Sequence, residues 1–228
     1  MSETLPTELL RPALLNGVSL LLAGAGPADV ASGAAAESAG SAVRAACAEL
    51  GARVSVFSAF GEGALAIDEA EADRAVQRTL AESGGAVEML VVDGAGLFSA
   101  AADAGSPDRA ADPARAALRA CLEASWNVTR SVVNNGFLPR GEGGRIVYVA
   151  PAPDAGEHAD ATRAGLENLA RTLSVEWARH AITAVTIAPG RDTTAGEVAA
   201  LTAYLASPAG AYFSGCLLDL RGAGGEGS

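Results

Sequence analysis

The chain has 228 residues and a formal net charge of −11, and all 16 of its basic side chains are arginine because lysine is absent. That absence excludes Schiff-base chemistry, a lysine-dependent phosphate loop and any site that needs an ammonium group. The acidic balance argues against nucleic acid and anionic membrane surfaces as partners, since both demand a positive footprint.

The first segment of interest is the apolar stretch at residues 13–25. It is too short to span a bilayer, and the residues before it carry Glu3, Glu8 and a single Arg11 instead of a positive leader. It reads as the approach to a buried strand at 18–22, and the protein as cytoplasmic. Further strands are predicted at 53–57, 64–67, 89–92, 145–149, 183–187 and 216–220, with helices at 41–50, 69–82, 113–137, 160–180 and 196–205. Alternation of this kind predicts an α/β fold, a doubly wound parallel sheet of about seven strands with helices on both faces. Residues 1–222 read as a single domain and 223–228 as a disordered tail. Leu166, Leu169, Leu173 and Trp177 form one apolar stripe on the helix at 160–180. Alanine reaches 53 and glycine 27 against 5 Phe, 3 Tyr and 2 Trp, so small residues must let the layers approach closely. Cys47, Cys121 and Cys216 are odd in number and widely spaced, which suits reduced, buried thiols.

Several phrases in collinear order resemble the short-chain dehydrogenase/reductase family. Residues 21–26, LLAGAG, look like the first strand and the start of a glycine-rich dinucleotide turn, with Gly24 and Gly26 in place. Residues 89–96, MLVVDGAG, look like the family's fourth strand and its Asn-Asn-Ala-Gly turn, here Asp93, Gly94, Ala95 and Gly96. Residues 144–149, GRIVYV, resemble the strand before the catalytic serine, and Pro189, Gly190 and Thr194 the turn that clamps a nicotinamide. Asp68 matches the acid that the family places near adenine. The resemblance implies a Rossmann-like fold, NAD(P) as the cofactor and oxidoreductase chemistry.

The residues that would perform that chemistry differ. Aligned with the family, its tyrosine falls at Ala159, its lysine at Arg163, its serine at Pro151 and its helix asparagine at Cys121. A positioned proton donor is worth about 10²–10⁴-fold in rate, so losing donor, activator and oxygen-binding hydroxyl together implies little reductase activity. The insert from Pro27 to Gly40 adds about ten residues to the glycine-rich turn, and Ser58 stands where an acid or arginine would select NAD or NADP. No bound cofactor is therefore expected. Two deletions are also read: too few residues between 57 and 64 for a crossover helix, and no substrate lid after Thr194.

Elsewhere, Asp154, Glu157, His158, Asp160 and Arg163 gather at the start of the helix at 160–180. His158 is a candidate replacement acid tuned by Asp160, set against a simple capping role. Two distant histidines offer no metal-ligand spacing. The leading expectation is a non-catalytic structural or regulatory subunit that pairs with an active paralogue of the same family, through the helices at 113–137 and 160–180. One alternative is an enzyme with a re-purposed site that uses His158, Tyr148 or Arg163. The other is a homodimeric or homotetrameric metabolite-binding protein.

Overall fold

A computed structural model of the protein describes residues 10–24, 38–61, 66–104 and 112–221. Along these residues the chain runs through β1 (Ser19–Gly24), α1 (Ala39–Glu49), β2 (Arg53–Ser58), α2 (Glu69–Glu82), β3 (Met89–Asp93) and α3 (Gly94–Ala104). It continues with α4 (Pro113–Val132), a π-helical turn at Val133–Phe137, α5 (Leu138–Arg140), β4 (Gly144–Val149) and α6 (Ala159–Glu176). β5 (Ile182–Ala188), α7 (Ala195–Ala206) and β6 (Leu217–Asp219) complete it.

Local chemistry sets the helix starts. Ser38 caps α1 through Ser41 N, and Asp112 caps α4 with Pro113 at the first helical position. Asp68 with Glu71, and Thr194 with Glu197, form reciprocal capping boxes at α2 and α7. α6 starts differently: His158 precedes it in the left-handed region, at φ 65°, without a side-chain cap.

All six strands are parallel, in the order β2-β1-β3-β4-β5-β6. Period-two alternation sorts their side chains onto two faces. Leu20, Leu22, Met89, Val91, Val147 and Val149 pack with α1 and α7 on one side. Leu21, Leu90, Val92, Ile146 and Tyr148 pack with α2, α3, α4 and α6 on the other. The strands are thus covered on both faces, the arrangement that near-continuous apolar runs predict.

The doubly wound fold agrees with the sequence reading, with corrections at particular elements. Of the strand expected at 64–67, residues 64 and 65 lie outside the described residues, and Ala66 makes an isolated antiparallel bridge to Phe60. Among the described residues β2 is the outermost strand, and α2 supplies the crossover to β3. α3 was not expected, because GAGLFSAAADA has too weak an apolar stripe to announce a helix. The helix expected over 113–137 widens after Val132. There the Asn135 amide donates to Ser131 O at 2.9 Å, competing for a carbonyl of the helical ladder. The helix expected to end at 180 closes at Glu176 and continues as a short 3₁₀ turn, Ala178–His180. Gly26, most of the Pro27–Gly40 insert and the tail at 223–228 lie outside the described residues.

Candidate functional site

In a doubly wound sheet, ligands bind beyond the carboxyl ends of the strands where the winding direction reverses. Here that point lies between β1 and β3, which end at Gly24 and Asp93. Asp93 is buried, and its Oδ1 accepts from Gly96 N at 3.0 Å. A Cβ on Gly96 would stand 2.6 Å from its Oδ2, and one on Gly40 would collide with the same oxygen. The carboxylate is therefore wedged between the first turns of α1 and α3, and only glycine on both helices leaves it room. Gly94 is equally confined: a Cβ there would lie 2.7 Å from Leu166 Cδ1 and 2.8 Å from Val149 O.

The four positions aligned with the family's catalytic residues lie around the ends of β4 and β5. Arg163, in the second turn of α6, donates from Nη1 to Pro151 O at 2.6 Å and to Pro189 O at 2.8 Å. One guanidinium nitrogen thus ties the loop after β4 to the loop after β5. Burial, then repulsion from Arg221, pulls the Arg163 pKa below the usual arginine value, with Asp160 and Asp219 opposing. Its side chain is 11% exposed, leaving little of it to meet a ligand. Pro151 contributes its carbonyl and has no hydroxyl, and Ala159 is buried at the start of α6. Cys121, on α4, donates from Sγ to Gly94 O at 3.3 Å, and burial pushes its thiol up to about 12.

A Cβ on Gly24 would meet open space, while Gly190, Thr194 and Asp68 are engaged within the chain. Gly190 N donates to Thr193 Oγ1 at 2.8 Å, and the backbone of Arg221 lies close beside Gly190. Thr194 accepts from Glu197 N at 3.2 Å and donates to Glu197 Oε2 at 2.9 Å. Asp68 accepts from Glu71 N at 2.7 Å in the α2 box. Only six residues separate β5 from α7, consistent with the expected absence of a lid.

The polar cluster before α6 is only partly assembled. His158 Nε2 lies 3.6 Å from Asp112 Oδ2, at the start of α4 rather than beside Asp160. Tyr148 is wholly buried, shares a 2.8 Å hydrogen bond with Thr129, and is pushed above the ordinary phenol range by burial. It faces the α4 layer and cannot act with His158. The sequence reading missed Asp219 and Arg221, which pair beside Arg163. Their proximity depends on β6 lying next to β5, a tertiary fact that the local pattern does not carry. Among the described residues no three His, Cys, Asp or Glu side chains gather as a metal site, and no helix is long and apolar enough to cross a membrane.

The profile of the short chain dehydrogenases matches residues 18–203. The chain belongs to the short-chain dehydrogenase family. Among solved structures it is similar to a hydroxysteroid dehydrogenase from Escherichia coli, at 17% identity and a TM-score of 0.68, covering 93% of this chain and 99% of that one. A short chain dehydrogenase from Mycobacterium smegmatis matches at 19% identity and a TM-score of 0.68, over 92% of this chain and 94% of that one. A substituted short-chain dehydrogenase/reductase from Serratia marcescens matches at 20% identity and a TM-score of 0.64, over 90% and 96% of the two chains. At these identities the likeness establishes the shared fold alone. No curated protein matches the chain.

Proposed function

We propose that this member of the short-chain dehydrogenase family is a non-catalytic subunit that supports an active, NAD(P)-dependent paralogue in a hetero-oligomer. The observation that carries the reading is Arg163. At the position aligned with the family's lysine, its guanidinium is bonded to Pro151 O and Pro189 O. A group that should meet cofactor and activate a proton donor is instead a tie between two loops, and the neighbouring donor position is the methyl of Ala159.

The described residues also fit a dinucleotide poorly. A pyrophosphate needs a helix N-terminus free to receive negative charge, and the Asp93 carboxylate already sits against the first turn of α1. Thr194 and Asp68 spend their oxygens on helix caps. No reaction step is therefore assigned to NAD(P) on this chain. Trp126 on α4 and Val175 on α6 stand exposed and offer apolar contact to such a partner.

Native mass spectrometry on the protein drawn from its own cells tests this directly. A complex holding a second, lysine-bearing homologue is the expected result. A preparation without any partner chain, or one in which this chain binds dinucleotide saturably, would overturn it.

One observation favours a second reading, an enzyme with a re-purposed site. His158 is part-exposed, holds a left-handed backbone conformation and faces Asp112, and such conformations cluster at functional sites. Turnover of any substrate that is abolished by His158→Ala would put this reading first.

A further inference from the structure

Among the described residues β2 is the outermost strand, and its hydrogen bonds show which of its residues face away from β1. Arg53 N donates to Val18 O at 2.9 Å and Ala59 N to Gly24 O at 2.8 Å, so odd-numbered residues address β1. Alternation then turns the N–H and C=O groups of Val54 and Val56 to the opposite side. Among the described residues no strand pairs there. The edge also lacks the usual devices against pairing: RVSVFS contains no proline and no lysine, and its single charge is at its first residue.

From this geometry we infer that β2 is a self-association edge, on which a second copy of this chain adds its own β2 in antiparallel fashion to form one continuous sheet across a two-fold axis. A run of alternating outward donors and acceptors is satisfied by another extended backbone and by little else. A two-fold axis normal to the sheet keeps each side chain on its own face, so residues that oppose one another must share parity. With the axis at Ser55, Val54 of each copy stands opposite Val56 of the other. Both positions direct their backbone groups into the new ladder and their β-branched side chains to the α1 and α7 face, a favourable cross-strand pair.

Charge favours self-association at this place over others. The chain carries −11 overall, so two copies repel across most of their surface. Beside β2, a groove of about 430 Å³ is floored by Phe57 and Phe60 and rimmed by α2 through Glu71, Arg74, Arg78 and Glu82. That rim holds two acids and two arginines and is neutral, so identical surfaces meet there without the general penalty. The edge lies apart from the outward faces of α4 and α6, so the result of the partner-chain experiment does not decide this one.

The test is the mass of the full chain in solution across a concentration series, joined to hydrogen exchange at the Val54 and Val56 amides. The expected species is twice 22.6 kDa, with those two amides slowed about tenfold or more as the dimer fills. Val56→Pro removes an outward N–H while sparing the bonds to β1, and should return the protein to monomer with its circular dichroism unchanged. Val54→Pro is the second variant. If both variants fail to fold, the wild-type exchange data decide alone. A monomer at every concentration, a dimer whose Val54 and Val56 amides exchange independently of concentration, or protection that appears only on adding a foreign extended peptide would each overturn the inference.

Discussion

Cys121 and Cys47 are both buried, and burial lifts each thiol from 9.0 to about 12. The thiolate is the reactive form, so neither should react while the fold is intact. Cys216 is only part-buried and is raised more modestly, again by burial. Iodoacetamide at mildly alkaline pH should therefore add one label to the native protein, at Cys216, and three after denaturation. Rapid labelling of Cys121 in the native state would show that the start of α3 does not cover it. This result bears on what a sequence alignment can deliver at single positions. Alignment could place Cys121 and Arg163 at the family's asparagine and lysine. It could not reveal that their partners are the carbonyls of Gly94, Pro151 and Pro189, because each contact bridges elements far apart in the chain. Thr194 carries two signals at once. Its Thr-x-x-Glu spacing makes a capping box at α7, a local role that stands beside the resemblance to a nicotinamide clamp.

Between elements, the contact of α2 with α4 is held by a polar cluster that the sequence pattern left unmarked. Asp73 accepts from Arg130 Nη2 at 3.0 Å and from the Asn135 amide at 3.1 Å. Asn135 in turn accepts from Gln77 Nε2 at 3.0 Å. The Ser131 hydroxyl, then Arg130, holds the Asp73 carboxyl below its ordinary value of 3.8. A depressed carboxyl contributes stability that is present above its unfolded pKa and lost as pH falls through the lower, folded one. Asp73→Ala should cost roughly 1 kcal/mol, discounted for partial solvent exposure, and should lessen the fall in melting temperature on acidification below 3.8. An unchanged acid limb in the variant would mean that the cluster contributes nothing to holding α2. The same cluster explains why a continuous helix over 113–137 was a sound expectation that failed at its end. Asn135 reads as an ordinary helical residue until its partners on α2 are known.

For the whole molecule, the order of strands and helices was readable because burial on both sheet faces writes long apolar runs into the chain. The position of the edge was not, because it depends on whether one weak strand forms. The candidate site was readable as a set of substitutions, while its closure by Arg163 and Asp93 depended on distances. One property of the composition now becomes testable. The chain has no lysine, so no ammonium side chain titrates over the range, 9.0 to about 12, through which burial shifts two of its thiols. Cys47, Cys121 and Tyr148 are all raised by burial. A raised acid keeps its proton in the folded state after the unfolded chain has released it, so the unfolded state binds fewer protons and stability falls as pH rises. That loss begins near 9.0 and is complete by about 12 for the two thiols. Urea midpoints should accordingly hold steady near neutrality and drop steeply by about pH 11. Cys121→Ala should flatten the alkaline limb by one group's share even if its neutral midpoint is lower. A midpoint that ignores pH across this window would mean that water reaches the thiols, and with them the layer beneath α3 and α4 on which the closed site rests.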